Sequence, residues 1–259
     1  MAGKSASCFF IIKAMKKFVA ALAFGKLLLL TIFTALFFSS CRTASLSSVE
    51  VAPTPTPATN ANVSADAINR PVSEPYTGDL SIFEDENRAV NLQIERVMDI
   101  LKIAEGKTVA DLGAGSGWFT TRAAKRVGLK GKVYAVEINQ EYINHINDRA
   151  KRENFTNIQT VLGTENDPKL TANSIDAVLI LKTYHEIGQP VTVLRHLKKS
   201  LKKDALVGII DKNGKGDDHG IDKSKVIEEA KRAGFALKEE FDFTKADGMD
   251  YFLVFQAVK

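Results

Sequence analysis

Along residues 84–101 the apolar side chains Val90, Ile94, Val97 and Leu101 recur at helical spacing, which predicts an amphipathic helix over that stretch. Short apolar runs follow at 108–112, 132–137, 158–162, 175–181 and 205–211, and each has the length of a buried strand. Between them the period changes. Tyr142, Ile143, Ile146 and Ala150 mark one face of a helix over 140–153. A helix over 190–201 has Pro190 near its start, and one over 222–233 is ended by Gly234. A glycine loop at 113–117 opens a further helix running to Val127. Strands that alternate with helices imply a parallel sheet covered on both faces, an α/β domain. The last two predicted strands, 235–243 and 251–258, are joined by a turn at 245–249 with no helix between them. They should form an antiparallel hairpin at one edge of the sheet.

The first 83 residues have a different character. Residues 18–38 are almost wholly apolar, interrupted by Lys26, preceded by lysines and followed by Ser39, Ser40 and Cys41. These are the parts of a secretory signal, and Met15-Lys16-Lys17 would be a typical start for one. Phe38-Ser39-Ser40-Cys41 resembles a bacterial lipobox, with Phe38 where an aliphatic residue is usual. A retained membrane anchor is the other reading, since the run is long enough to span a bilayer; the place of Cys41 favours the lipoprotein. In both, the lysines precede the apolar run, so the body should lie outside the cytoplasm. Residues 42–66 are nearly all Ser, Thr, Ala, Pro, Asn and Val, a composition that cannot bury enough apolar surface to offset its ordering entropy. The expected organisation is a leader at 1–41, a disordered linker with a lid transition at 42–83, and a folded domain at 84–259.

Charge supports that division. The chain of 259 residues has a formal net charge of +4, but residues 1–41 hold five lysines and no acid, which leaves 30 basic and 31 acidic residues in the remainder. The positive balance therefore belongs to the leader, and the composition offers no basic patch suited to nucleic acid. Both cysteines, Cys8 and Cys41, lie in the leader, so the body has neither a disulfide framework nor a cysteine zinc site.

The strongest local signal is Asp111-Leu112-Gly113-Ala114-Gly115-Ser116-Gly117, placed where a strand passes into a helix. Glycines there let the backbone turn sharply and approach a ligand closely. Glu137 ends the next strand, twenty residues after Gly117, in a position suited to ribose hydroxyls. The spacing is G-x-G-x-G rather than G-x-G-x-x-G, with Trp118 and Phe119 where a nicotinamide site would need its third glycine. An acid just before the loop suits a ligand carrying positive charge. The segment resembles motif I of the class I S-adenosylmethionine-dependent methyltransferases, and the element order from Glu84 to Lys259 is similar to theirs. The resemblance implies a Rossmann-like, mostly parallel seven-stranded sheet in the order 3-2-1-4-5-7-6, with helices on both faces. It further implies S-adenosylmethionine as cofactor. Asp111 would lie near the methionine end, and the backbone of Gly113, Ala114, Gly115 and Gly117 against the ribose and carboxypropyl part. Glu137 would hold the ribose hydroxyls, with Ile138, Thr164 and Glu165 near the adenine. By the same resemblance, residues 76–88 should cover the cleft, with Phe83 and Arg88 facing substrate.

In this family the methyl acceptor lies beyond the fourth strand, which here ends in Lys182-Thr183-Tyr184-His185-Glu186. His185 has the chemistry of a general base, Tyr184 can stack on or hydrogen-bond a substrate, and Glu186 can orient the histidine. The tripeptide resembles the segment after strand four in some small-molecule methyltransferases, and an Asn-Pro-Pro-Tyr motif of amino-methylating nucleic-acid enzymes is absent. The expected acceptor is thus a small molecule and not a nucleic acid. His185, Asp211, Asp218 and His219 fit no compact metal motif by spacing, so no metal is expected and 212–219 reads as a solvated loop. An exported methyltransferase would be separated from a donor made in the cytoplasm. A lipid-anchored binding protein that kept the scaffold without catalysis is therefore a second reading, and an NAD-dependent oxidoreductase a third.

Overall fold

The computed structural model describes residues 66–244 and 250–258. The leader with its lipobox-like Cys41, the linker through residue 65 and the turn at 245–249 lie outside the described residues. Among the described residues no helix is long and apolar enough to cross a membrane.

Seven strands form one sheet: β1 (Thr108–Leu112), β2 (Lys132–Glu137), β3 (Ile158–Leu162), β4 (Ile175–Leu181), β5 (Leu201–Lys212), β6 (Phe235–Phe241) and β7 (Asp250–Ala257). Their order is β3-β2-β1-β4-β5-β7-β6, as expected. The pairs from β3 through β5 are parallel, while β7 runs antiparallel between β5 and β6. Strand side chains alternate between two cores. In β4, Ile175, Val178 and Ile180 join one, and Ala177, Leu179 and Leu181 join the other. In β7, Tyr251, Leu253 and Phe255 face the first, and Phe252 and Val254 the second. This is why the central strands read as unbroken apolar runs: both faces are buried.

Among the described residues the α-helices are α1 (Arg88–Asn91), α2 (Ile94–Ile100), α3 (Trp118–Val127), α4 (Gln140–Arg152), α5 (Pro190–Ser200) and α6 (Lys223–Arg232). α2 and α3 close the core that holds Leu179 and Phe252, and α5 and α6 close the opposite one. Asn139 and Asp222 cap α4 and α6 by accepting backbone N–H groups of Glu141 and Ser224.

The single helix expected over 84–101 is instead two short ones, α1 and α2, preceded by a 3-10 turn at Leu80–Phe83. The break falls at Gln93, whose φ is +47°. Val90, expected on the buried face, is 75% exposed, whereas Ile94, Val97 and Leu101 are buried. The residues ahead of α1 favour turns, and the Asp85 carboxylate accepts the backbone N–H of Asn87 at 2.6 Å. Local bonds of this type compete with a continuous helix.

The packed body also begins earlier than Glu84. Arg70 makes a two-pronged contact with Glu229 on α6, Nε to Oε1 at 2.8 Å and Nη2 to Oε2 at 3.3 Å, with both side chains 4% exposed. The Arg70 guanidinium also lies 5.8 Å from the centre of the Tyr184 ring. Ser73 is buried, and its N–H donates to the His185 carbonyl at 3.2 Å. Residues 70–77 thus form a strap across the carboxyl ends of the strands. Removing one partner of a buried ion pair strands the other charge. Arg70→Ala should therefore destabilise the protein by about 3–5 kcal/mol in urea unfolding. Arg70→Met combined with Glu229→Leu should recover most of that loss; an unchanged transition midpoint in Arg70→Ala would show the strap to be energetically idle.

Candidate active site

The carboxyl ends of β1, β2 and β4 and the strap enclose a cavity of about 720 Å³, within the range of small-molecule sites. Its floor is the loop after β1. Gly113 (φ +75°) and Gly115 (φ +54°) adopt backbone that L side chains rarely take, and a Cβ on Gly113 would stand 2.3 Å from Cγ2 of Thr183. Gly117, also at positive φ, caps α3 and does not line the cavity; a Cβ there would meet Ile146 of α4 at 3.3 Å. Its glycine is explained by the turn into α3 and by helix packing rather than by ligand approach.

Asp111 at the end of β1 is almost completely buried and accepts a hydrogen bond from Thr120 Oγ1 at 2.6 Å. Burial drives its carboxyl up to about 7, and the nearby Glu137 adds to the effect; the Thr120 bond and the Arg88 guanidinium oppose it. Glu137 at the end of β2 is also raised by burial, against the pull of backbone N–H donors. Its two oxygens accept from Gly115 N at 3.0 Å and Ile138 N at 2.8 Å. Each carboxylate oxygen has a second acceptor position, so Glu137 is pre-set to receive hydroxyl donors. Ile138, Thr164 and Glu165 stand exposed on the cavity rim.

The opposite wall is aromatic and cationic. Trp118 and Phe119 open α3 and serve both the cavity wall and the core beneath. The guanidinium groups of Arg88 and Arg122 lie 4.5 and 3.9 Å from the Trp118 ring centre. Arg88 donates to the Phe83 carbonyl at 2.8 Å, and both Phe83 and Arg88 line the cavity. Tyr76, expected in the cover, lines it as well, and so do Val72, Ser73, Glu74 and Pro75, a part that the sequence reading missed. The only signal for it was the extended backbone that Pro71 and Pro75 impose.

After β4 the three candidate catalytic residues part company. Glu186 lines the cavity, and its Oε1 accepts the backbone N–H of Tyr76 at 3.2 Å. Tyr184 is fully buried in the core with residues of α5 and α6, so its ring packs the fold and does not line the cavity. His185 is buried behind Glu186 and is oriented by Asp211 at the end of β5, not by Glu186 as expected: Nδ1 lies 2.8 Å from Asp211 Oδ1, while Nε2 is 3.8 Å from Glu186 Oε1. His219, assigned by spacing to a solvated loop, sets its ring edge-on to His185 with centroids 5.8 Å apart. Asp218 turns away and accepts from Lys215 N in its own loop.

A methyltransferase-domain family model matches residues 103–232, half of the chain. The chain belongs to the class I S-adenosylmethionine-dependent methyltransferases. A solved S-adenosylmethionine-dependent methyltransferase from Aquifex aeolicus is 26% identical, with a TM-score of 0.63 over 70% of this chain and all of that one. The catalytic subunit of the tRNA (adenine(58)-N(1))-methyltransferase of Yarrowia lipolytica is 30% identical over 112 residues, 42% of this chain and 28% of that protein. The protein-L-isoaspartate O-methyltransferase of Methanococcoides burtonii is 27% identical over 131 residues, 50% of this chain and 61% of that protein. The chain thus spans less than two thirds of these curated relatives. S-adenosylmethionine is the cofactor of this methyltransferase family, and the cavity fits it: it presents buried carboxylates to a cationic ligand, an acceptor pair at Glu137 for hydroxyls, and a loop whose glycines leave room for close approach.

That room has a direct test. An alanine at 113 must take left-handed backbone, at roughly 1–2 kcal/mol, and displace Thr183. Gly113→Ala should destabilise the methyltransferase by about 2–4 kcal/mol in chemical unfolding. Adding Thr183→Ala should relieve the steric part and leave the backbone part.

Proposed function

We propose that this protein transfers a methyl group from S-adenosylmethionine to a small-molecule acceptor held between the β4 end and the strap. The observation that carries this reading is the cavity itself: a near-continuous wall of Asp111, Glu137, Arg88, Trp118 and Glu186, roofed by residues 72–77. A roof tied down at Ser73 and Tyr76 leaves room for a compact acceptor and screens the reacting atoms from water.

Bound S-adenosylmethionine supplies a methyl group activated by a sulfonium charge. The chain's own part is chiefly alignment, which can account for much of the rate of a displacement. Asp111, once ionised, balances positive charge on the ligand. Glu137 accepts hydroxyl donors and fixes the ligand's register along β2. Arg88, locked against Trp118 and Phe83, closes the face opposite the glycine loop. Glu186 lines the cavity and, in this proposal, hydrogen-bonds an acceptor group or takes its proton. A tether to the membrane through the leader and Cys41 goes with this proposal; Cys41→Ser should release the protein from the membrane fraction.

The cofactor reading is tested by calorimetric titration of the full-length protein with S-adenosylhomocysteine. Micromolar binding is expected, weakened at least tenfold by Asp111→Asn. The pH dependence has a definite sign. With its carboxyl raised to about 7, Asp111 holds a proton more tightly in the folded free protein than in the unfolded chain, so stability falls as pH rises from about 4 to 7. A cationic ligand favours the ionised form, so affinity should rise about tenfold from pH 6 to pH 8 and level off above. Asp111→Asn should flatten that rise. No binding by folded protein, or binding of NAD in its place, would overturn the reading.

A further inference from the structure

We propose that His185, Glu186 and His219 form a site for one divalent transition-metal ion at the edge of the cofactor cavity. The donor atoms of these three residues all lie within 4.8 Å of one another. Tetrahedral ligands at about 2.0–2.1 Å from a zinc-like ion stand roughly 3.3 Å apart. His185 Nε2 and Glu186 Oε1, at 3.8 Å, are within a small side-chain rotation of that spacing. Two imidazoles and one carboxylate are a donor set of divalent transition metals, and three protein ligands leave an open position for water or substrate.

The cluster is built, not incidental. Asp211 is completely buried, and its oxygens accept the backbone N–H of His185 at 3.1 Å and of Lys212 at 2.8 Å. His185 Nδ1 lies 2.8 and 3.1 Å from the same two oxygens. In the tautomer with Nδ1–H donating to Asp211, Nε2 carries the lone pair on the side of Glu186. A carboxylate behind the ligating imidazole is the usual partner of a metal-bound histidine. His219, on the loop after β5, is the exposed member of the three.

One strap residue fastens both histidines. Ser73 donates its N–H to the His185 carbonyl at 3.2 Å, its Oγ accepts the His219 N–H at 3.1 Å, and the hydroxyl donates to the Gly216 carbonyl at 2.8 Å. The strap, the β4 end and the loop after β5 therefore meet at the three donors. Glu186 belongs at once to this cluster and to the cavity wall, so the ion would face the acceptor end of the cavity. The inference rests on the proposed function only for that last point; metal binding stands or falls separately.

The test titrates the full-length protein, in a Cys8→Ser/Cys41→Ser background so that no thiolate competes, with Co²⁺ followed by visible absorption and with Zn²⁺ by competition. One equivalent should bind with micromolar or tighter affinity and give a ligand-field spectrum. His219→Ala and Glu186→Gln should each weaken binding at least tenfold, and Ser73→Ala severalfold by loosening both histidines; His196→Ala, at a histidine remote from the cluster, should change nothing. S-adenosylhomocysteine binding in the same samples reports an intact fold. Wild-type protein that binds S-adenosylhomocysteine but no stoichiometric metal would overturn the proposal, as would affinity unchanged in His219→Ala. Metal binding without S-adenosylhomocysteine binding would support the metal site and remove the cofactor reading.

Discussion

Burying carboxylates at the carboxyl ends of parallel strands is the constraint around which this molecule is arranged. Asp111, Glu137 and Asp211 end β1, β2 and β5, and each is almost wholly withdrawn from water. A desolvated charge must be met by donors or by a proton. The three are met differently. Glu137 is held by backbone N–H groups of the loops it borders. Asp211 has two backbone donors and an imidazole. Asp111 has the hydroxyl and, as the weakest contribution, the backbone N–H of the single residue Thr120, with a more distant guanidinium, and its carboxyl is the one pushed up to about 7. The least compensated carboxylate thus lies where a cationic ligand would complete it. Much of the neighbouring structure follows from supplying those partners. Thr120 must sit one turn into α3, Arg88 must reach back over Trp118, and the chain after β4 must turn so that His185 meets Asp211.

How far this was readable from sequence varies with the range of the interaction. The strands and the helices after β1 were legible because burial on one or both faces leaves a local period, as in Val178-Leu179-Ile180 or Tyr142-Ile143-Ile146. The sheet order followed from the resemblance carried by Asp111, the glycine loop and Glu137. Residues 84–101 misled because a periodic apolar pattern does not register the turn-forming bonds of Asp85 and Asn87 that compete with it. Tyr184 misled in another way: it adjoins the site in sequence, but the short 3-10 turn at Tyr184–Glu186 sends its ring into the core while Glu186 faces the cavity. The meeting of His185 with Asp211 and His219 spans 26 and 34 residues of chain, a distance at which spacing carries no geometric information. The end of the strap from Tyr76 fell within the cover expected at 76–88, but residues 70–75 were visible only as prolines, since their anchoring contacts, Arg70 to Glu229 and Ser73 to both histidines, are all long-range.

The strap links the two halves of the site through shared atoms. Glu186 Oε1 accepts the Tyr76 N–H, and Tyr142 on α4 donates its hydroxyl to the Tyr76 carbonyl at 2.8 Å. Tyr76 also sets its ring edge-on to Phe83, which borders Gly115 of the cofactor loop. One residue therefore touches the acceptor-side carboxylate, the helix that follows β2 and the aromatic cover of the glycine loop. Glu74, Pro75 and Thr77 on either side of it are exposed, whereas Arg70 and Ser73 hold the N-terminal end of the strap by buried bonds. Any charge change at Glu186, whether by an ion at the histidine cluster or by an acceptor's proton, would alter the bond that holds Tyr76 and so bear on how tightly the roof closes.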